Sequence, residues 1–124
     1  MSEDDHQFHR QVHPSWLHQG RITSQVFTPT PKDNGLLSVY DGQQITANAS
    51  FVHYTTVQRL NAFGTVSVTA GEIHSVGLPW RLDPEPFPEH AVIDFTGEPT
   101  PGKAKAKAHA LAELARQRNW TYRP

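Results

Sequence analysis

Apolar and polar residues alternate along several short stretches of the chain, a pattern typical of β-strands that are buried on one face. The segments FHRQV, RITSQVFT, LLSVY and TVSV fit this pattern and are rich in β-branched or aromatic residues. In RITSQVFT the alternation turns Ser24 toward the core together with Ile22 and Val26. HAVIDF is an almost continuous apolar run, which predicts a central strand covered on both faces.

Two pairs of residues with capping-box spacing predict the starts of helices between these strands. Asp41 and Gln44 form the first pair, and apolar residues then recur at helical intervals, so a helix is predicted over about residues 42–60. Thr69 and Glu72 form the second pair, which predicts a shorter helix of about two turns.

The last helix has the strongest local signals. Thr100 is placed to cap it, Pro101 suits its first turn, and good helix formers follow in KAKAKAHALAELARQRN. A thin apolar stripe falls within one arc of the helix and is predicted to pack closely on a sheet: Ala104, Ala108, Leu111 and Ala115. Three residues on the opposite side are predicted to be exposed: Lys105, His109 and Arg116.

The order of the predicted elements is β-β-β-α-β-α-β-α. Strands and helices in this order bury their apolar faces best as an α+β fold, with a mixed, mostly antiparallel sheet and about three helices. A chain of 124 residues suits one compact domain. We therefore expect residues 7–124 to form this domain and residues 1–6 to be disordered.

Composition narrows the class of protein. The sequence has no cysteine, which excludes disulfides, thiolate metal sites and a thiol nucleophile. The first residues, MSEDD, lack the basic and apolar regions of a secretory signal, and no apolar run is long enough to span a membrane. We expect a cytoplasmic protein that does not contact a membrane.

Charge is divided unevenly along the chain, although the net charge is only −1. Residues 1–100 hold 5 Lys and Arg against 11 Asp and Glu, whereas residues 101–124 hold 6 against 1. This asymmetry fits a basic helix lying on an acidic body, or a basic helix that binds a nucleotide or nucleic acid. The first interpretation is favoured because the chain as a whole is not basic.

Three histidines fall within nine residues in HQFHRQVHP, and their spacing would place them on one face of a helix. Pro14 disfavours helical backbone at His13, however, and the neighbouring residues fit a strand. On a strand, His9 and His13 lie about 13 Å apart, too far to share one zinc ion. We therefore predict no metal site and no cofactor.

Histidine can also act as a general acid or base near neutral pH. His13 ends the first strand and His90 opens HAVIDF, so these two are the candidate catalytic residues if the strands bring them together. The alternative is structural, with His13 capping a turn and His90 satisfying a backbone group.

Four further residues are candidates for ligand binding. Arg10 and Arg21 flank the first turn and Lys32 follows later, so the three could hold a phosphate or a carboxylate. Ser24 lies close to them in sequence, although its strand parity favours burial. The alternative for the charged residues is ordinary solvated surface.

The segments HRQVHPSW, GRITSQVF, LSVY and PEHAVIDF together resemble a group of small uncharacterised bacterial single-domain proteins. The shared pattern is Arg-x-x-His-Pro, Arg-x-x-Ser-x-x-Phe, Leu-Ser-Val and Pro-x-His-Ala, in this order. The resemblance implies one compact domain and carries no activity. It draws attention to a set of positions: His13, Arg21, Ser24, Phe27, Ser38 and His90.

Two functions are consistent with these observations. The first is a non-catalytic module that binds a partner protein or a ligand, as one component of a bacterial multi-gene system such as a toxin or defence system. The second is a small enzyme that uses His13 or His90 on a nucleotide or RNA phosphate, with Arg10 and Arg21 neutralising charge.

Overall fold

The computed structural model describes residues 3–124, which form a single compact α+β domain around one antiparallel sheet. The sheet strands are β1 (Gln7–Val12), β4 (Leu36–Asp41), β5 (Gly64–Thr69), β6 (Trp80–Leu82) and β7 (His90–Asp94), and β2 (Leu17–His18) and β3 (Arg21–Ile22) form a separate small hairpin. The helices are α1 (Ala47–Val52), α2 (Ala70–Ser75) and α3 (Pro101–Arg118). The predicted fold class is thereby confirmed.

The five strands lie in the order β5-β1-β4-β7-β6, and every pairing between them is antiparallel. The sheet therefore lacks the parallel component that a mixed sheet would have. β6 was not among the predicted strands, because its three residues lie in a proline-rich stretch without clear alternation. Within residues 3–124, no helix combines the length and the apolar character needed to cross a bilayer.

The apolar face of the sheet packs against α3. Phe8, Val66 and Ile93 point to this face, where the small side chains of α3 allow the helix to approach closely. The predicted stripe on α3 is confirmed: Ala108, Leu111 and Ala115 are buried, and Ala104 is partly buried against the core. Arg116 is only half-buried instead of exposed, because its guanidinium turns back to donate to the carbonyl of Ile22.

The opposite face of β1 and β5 is polar, although it is also buried. Gln11 donates to the hydroxyl of Ser50 on α1 and accepts from the hydroxyl of Thr65 on β5. The C-terminal segment closes the edge of β5, where Tyr122 forms a backbone bridge with Thr65. Hydrogen bonds between these side chains offset the cost of removing polar groups from water.

The predicted strand RITSQVFT is wrong beyond its first residues. β3 ends at Ile22, and Ser24–Phe27 form a 3-10 turn in which the adjacent residues Val26 and Phe27 are both buried. Two neighbouring buried residues cannot occur on one face of a strand, but they can on a tight turn. Ser24 therefore lies half-buried on this turn and not in the core of a sheet.

The predicted helix over residues 42–60 is too long. Asp41 accepts hydrogen bonds from Gln43 N and Gln44 Nε2 in a turn, and the helix begins only after Thr46, whose hydroxyl caps it. Beyond Val52 the chain continues as a π-helical turn at His53–Val57. The other two helix starts are confirmed, since both halves of the Thr69 capping box are present and Thr100 caps α3.

At the N-terminus, the prediction of disorder over residues 1–6 reaches beyond the described residues, which begin at Glu3. From there Glu3–Asp5 form a 3-10 turn. The ring of His6 is buried, stacks on Phe8 with centroids 4.4 Å apart, and hydrogen-bonds through Nε2 to the carboxylate of Asp41.

Asp41 joins the N-terminal segment to the sheet and to the turn that follows β4. Burial alone would raise the pKa of this carboxyl, but the hydrogen bonds from Gln44, Gln43 and His6 outweigh it and hold the pKa below its usual value. The ionised form therefore stabilises the folded state.

We expect Asp41→Asn to lower the free energy of unfolding at pH 7 by about 2 kcal/mol, since hydrogen bonds to a charged acceptor are lost. Because the folded-state pKa lies below the unfolded one, near 4, the contribution of Asp41 is present above that pH and lost as the pH falls through the folded value. Urea unfolding of the two proteins at neutral and at acid pH measures the loss of stability and its dependence on pH. A difference between the two proteins that is as large at the acid end as at pH 7 would contradict this account.

We expect Ala108→Leu to destabilise the protein by about 1–3 kcal/mol, because the added side chain has no space between α3 and the sheet. Ala106→Leu, at an exposed position of the same helix, should change stability by less than about 0.5 kcal/mol. Thermal unfolding of both variants provides the comparison. Equal stability of the two would show that α3 is not closely packed.

Candidate functional site

A cleft opens where β1 and β4 separate. β1 pairs with β5 at six positions from Gln7 to Val12, but it pairs with β4 at only two, Phe8 with Asp41 and His9 with Tyr40. β4 instead continues its pairing with β7 on the other side. The sheet is therefore divided beyond His9, and the backbone groups that face the gap need partners other than a strand.

The side chain of Arg10 bridges this gap. Its Nε donates to the carbonyl of Val26 at 2.8 Å, and its Nη1 donates to the carbonyl of Ser38 at 2.9 Å. The guanidinium also lies over the ring of Trp16, 5.2 Å from the centroid. A guanidinium has five N–H groups, so three remain without an acceptor among residues 3–124.

No carboxylate within residues 3–124 forms an ion pair with Arg10. The nearby Asp33 is already engaged, because its Oδ2 accepts from both the backbone N and the hydroxyl of Thr30. Burial lowers the pKa of Arg10, while nearby Tyr54 and Asp33 raise it. Since arginine does not lose its proton in proteins, the cleft contains a cation that is partly removed from water.

The cleft has a volume of about 680 Å³, which is the size of a site for a small organic molecule. Aromatic and apolar side chains form most of its wall, and its charged residues are Arg10, Lys32 and Asp33. The π-helical turn contributes Tyr54, and Gln58 follows directly. The larger apolar and aromatic groups of the wall are Trp16, Tyr40, Tyr54, Leu60 and Phe87.

His90 and Ser38 form a hydrogen-bonded pair at the cleft. The Nε2 of His90 lies 3.0 Å from the hydroxyl oxygen of Ser38, and its Nδ1 lies 2.8 Å from the backbone carbonyl of Asp83. The carboxylate of Asp83 is 3.6 Å from the same Nδ1. His90 is buried, whereas Ser38 is exposed.

His9 forms a similar pair with Ser67, but the whole pair is buried. Its Nδ1 lies 2.7 Å from the hydroxyl of Ser67, and its Nε2 lies 3.1 Å from the carbonyl of Ile45. Burial lowers the pKa of His9 and favours the neutral imidazole. Both ring nitrogens are therefore occupied, which suits a structural role beneath the cleft.

A third network surrounds Tyr40. Its hydroxyl oxygen lies 2.8 Å from Nδ1 of His53, to which it is hydrogen-bonded, and accepts from Nε2 of Gln58 at 2.7 Å. Burial raises the pKa of Tyr40 to about 12, so the phenol remains neutral at physiological pH. Phe87 stacks on this ring, 5.1 Å between centroids, and completes an aromatic wall.

The structure brings together three of the residues selected from the sequence: Arg10, Lys32 and His90 all line the cleft. It does not bring in His13, which is not among the residues that line the cleft, although Trp16 in the turn that follows β1 does line it. His13 accepts from the backbone N of Ser15 and caps that turn.

Arg21 and Ser24 also lie away from the cleft. Arg21 is exposed on the small hairpin, near Arg116 of α3, and Ser24 lines a different surface depression beside Lys105. Arg21 therefore does not meet Arg10 and Lys32 at the cleft, because the hairpin projects toward α3.

The histidines of HQFHRQVHP do not converge. His6 contacts Asp41, His9 contacts Ser67, and His13 caps the following turn. The backbone of β1 is extended and His13 itself is extended, with φ −68° and ψ 140°. No group of three histidine, aspartate or glutamate side chains within residues 3–124 is arranged to hold a metal ion.

The sequence did not reveal the hydrogen-bond partners of His90, which are Ser38 and Asp83. Ser38 belongs to the Leu-Ser-Val motif, yet nothing local indicates that β4 lies beside β7 and presents Ser38 to the imidazole. Asp83 follows a short strand that the sequence did not reveal. The one available signal was alternation in LLSVY, which places Ser38 and Tyr40 on the same face.

Comparison with known proteins identifies no relative: no family model, no curated protein and no solved structure matches this chain.

Proposed function

We propose that the protein binds a small anionic ligand in the cleft between β1 and β4. The observation that supports this most directly is the guanidinium of Arg10, which is partly buried, has unused N–H groups and forms no ion pair with a carboxylate of residues 3–124. Asp33 attracts this cation from a distance but does not contact it, so an anion that reaches the guanidinium and bonds to its free N–H groups is bound favourably.

The wall of the cleft indicates the rest of the ligand. Trp16 lies against the guanidinium, and the aromatic rings of Tyr54 and Phe87 line the same cleft. Such surfaces favour a planar apolar body, since aromatic groups stack on one another and exclude water. The proposed ligand is therefore a phosphate or carboxylate joined to a planar group, a class that includes both nucleotides and aromatic acids.

Binding of nucleic acid by the basic helix α3 has less support. Lys107 pairs with Glu98, Arg118 makes two hydrogen bonds to Glu72, and Arg116 pairs with Glu113. Half of the lysine and arginine side chains of residues 101–124 are thereby paired with acidic groups. The remaining positive charge attracts a nucleic acid only weakly. These contacts fit a basic helix resting on an acidic body.

Binding of a partner protein within a multi-gene system, and a cytoplasmic location, remain part of the proposal. The uneven distribution of charge along the sequence supports binding of a partner protein. The absence of cysteine is consistent with a cytoplasmic location.

Binding can be measured by NMR titration of the isotope-labelled protein with phenyl phosphate and with benzoate. We expect shifts at Arg10, Tyr54 and Phe87 with at least one of the two probes. Arg10→Gln should weaken binding by about 1.5–3 kcal/mol, or roughly ten-fold to a hundred-fold, because a charged hydrogen-bonding group is removed.

Arg10 also holds two backbone carbonyls, so the exposed Lys32 provides a second variant that leaves the fold intact. Lys32→Gln should weaken binding more than Lys103→Gln, which removes an exposed lysine of α3 outside the cleft. If neither probe shifts the cleft resonances at millimolar concentration, or if the two lysine variants bind equally, the proposal fails.

A further inference from the structure

We propose that Ser38 is a catalytic nucleophile, that His90 is its general base, and that the cleft hydrolyses carboxylic esters. The inference rests on the proposed function in one respect: the carboxylate that such a reaction releases is an anion of the class assigned to Arg10. Its main support is the geometry of Ser38, His90 and Asp83.

The proton on His90 is placed by its surroundings. The carbonyl oxygen of Asp83 can only accept, so the Nδ1 that lies 2.8 Å from it must carry the hydrogen. In the neutral imidazole Nε2 is then the unprotonated nitrogen, and the hydroxyl of Ser38 donates to it at 3.0 Å. This is the tautomer that a general base needs in order to take the proton of a serine.

Backbone pairing holds this orientation. Leu82 of β6 pairs with Ala91 of β7, and directly beyond this pair the N–H of Asp83 donates to the carbonyl of His90 at 3.0 Å. The ring and the main chain of His90 therefore contact the same residue. The carboxylate of Asp83, 3.6 Å from Nδ1, also lies where it stabilises the imidazolium that forms when His90 takes a proton.

A cation lies beside the proposed nucleophile. Nη1 of Arg10 donates to the carbonyl of Ser38 itself, so the guanidinium is adjacent to the residue that would attack. Its unused N–H groups suit the oxygen that becomes negative when an ester carbonyl is attacked. A nucleophile, an oriented base and a group that stabilises negative charge then share one cleft of suitable size.

The reaction proceeds in two balanced steps. In the first, Nε2 of His90 takes the proton of Ser38, Oγ bonds to the ester carbonyl carbon, and the alcohol leaves with that proton. In the second, His90 takes a proton from water, the resulting hydroxide attacks the acyl-serine, and Ser38 recovers its proton as the carboxylic acid leaves. Ester and water are consumed, and alcohol and acid are formed.

Two other hydrogen-bonded serine–histidine pairs within residues 3–124 provide internal comparisons. Ser67 contacts His9, whose nitrogens are equally well fixed, but this serine is fully buried and no substrate can reach it. Ser15 is exposed and contacts His13, but only as part of the turn cap, outside the cleft. Ser38 alone of these three serines combines exposure, an oriented histidine and the cleft.

The experiment is covalent labelling with a fluorophosphonate probe, which reacts with activated serines, followed by peptide mass spectrometry. We expect the full chain to be labelled at Ser38. Ser38→Ala should abolish labelling, whereas Ser15→Ala should be labelled as the unchanged protein is. Labelling confined to another serine, or no labelling of the folded protein, would overturn the proposal.

Hydrolysis of 4-nitrophenyl acetate provides the catalytic readout. We expect His90→Gln to lower the rate by about 10²–10⁴-fold, as loss of a general base does. Because His90 is buried, this variant is compared at a temperature where circular dichroism shows it folded. Ser38→Ala, at an exposed position, should reduce the rate to that of buffer even if His90→Gln does not fold. A rate unchanged in Ser38→Ala would overturn the proposal.

The two proposals can fail separately. If Ser38 is labelled but neither benzoate nor phenyl phosphate binds, the proposed anionic ligand is refuted and the proposed nucleophile is supported. Ligand binding without labelling or hydrolysis would refute the nucleophile and leave a binding module. Protection of Ser38 from the probe by benzoate would support both.

Discussion

Arg10 occupies the gap between β1 and β4, where it donates to the carbonyl of Ser38 on β4 and to that of Val26 in the turn Ser24–Phe27 and so links β1 to both. The hydrogen bond to Ser38 crosses from β1 to β4 where the backbone pairing of the two strands has ended. The strands cannot part further without leaving two carbonyls and a cation unpaired in a partly buried position. The ring of Trp16 packs against the same guanidinium, so this side chain joins β1, β4 and the two turns that contain Trp16 and Val26.

The two buried histidines on either side of β4 show how neighbouring carbonyls assign different roles to the same side chain. A carbonyl beside Nε2 fixes the proton of His9 at that nitrogen, whereas a carbonyl beside Nδ1 fixes the proton of His90 at the other. His9 is thereby tied into the interior with Ser67. The unprotonated nitrogen of His90 faces an exposed serine at the cleft.

Local signals were enough to predict part of this structure. The Thr69 capping box, the Thr100 cap and the alanine stripe of α3 depend on residues within a few positions of one another, and all three are present. The extended backbone before Pro14 likewise follows from a local steric rule. Arg10, Lys32 and His90 were chosen from the sequence by residue type and position, and they meet at the cleft.

The remaining features depend on pairings between distant strands, which periodicity does not reveal. Ser38 and His90 are 52 residues apart and meet only because β4 lies beside β7. The separation of β1 from β4 has no counterpart in either strand's alternation, so the cleft itself could not be predicted. Ser24–Phe27 form a tight turn instead of the predicted strand, and this turn buries the adjacent side chains of Val26 and Phe27. A pattern that alternates between two faces does not predict such a turn.

The polar face shared by β1 and β5 has a consequence for how the chain finds its register. Gln11, Thr65 and Ser50 satisfy one another in only one alignment of the strands. A shift of the pairing by one residue would turn the side chains of Gln11 and His9 toward the apolar core. Their polar atoms would then be buried without hydrogen-bond partners. The side-chain hydrogen bonds thus favour the native register of β1 on β5, which an all-aliphatic pair of strands would specify less strictly.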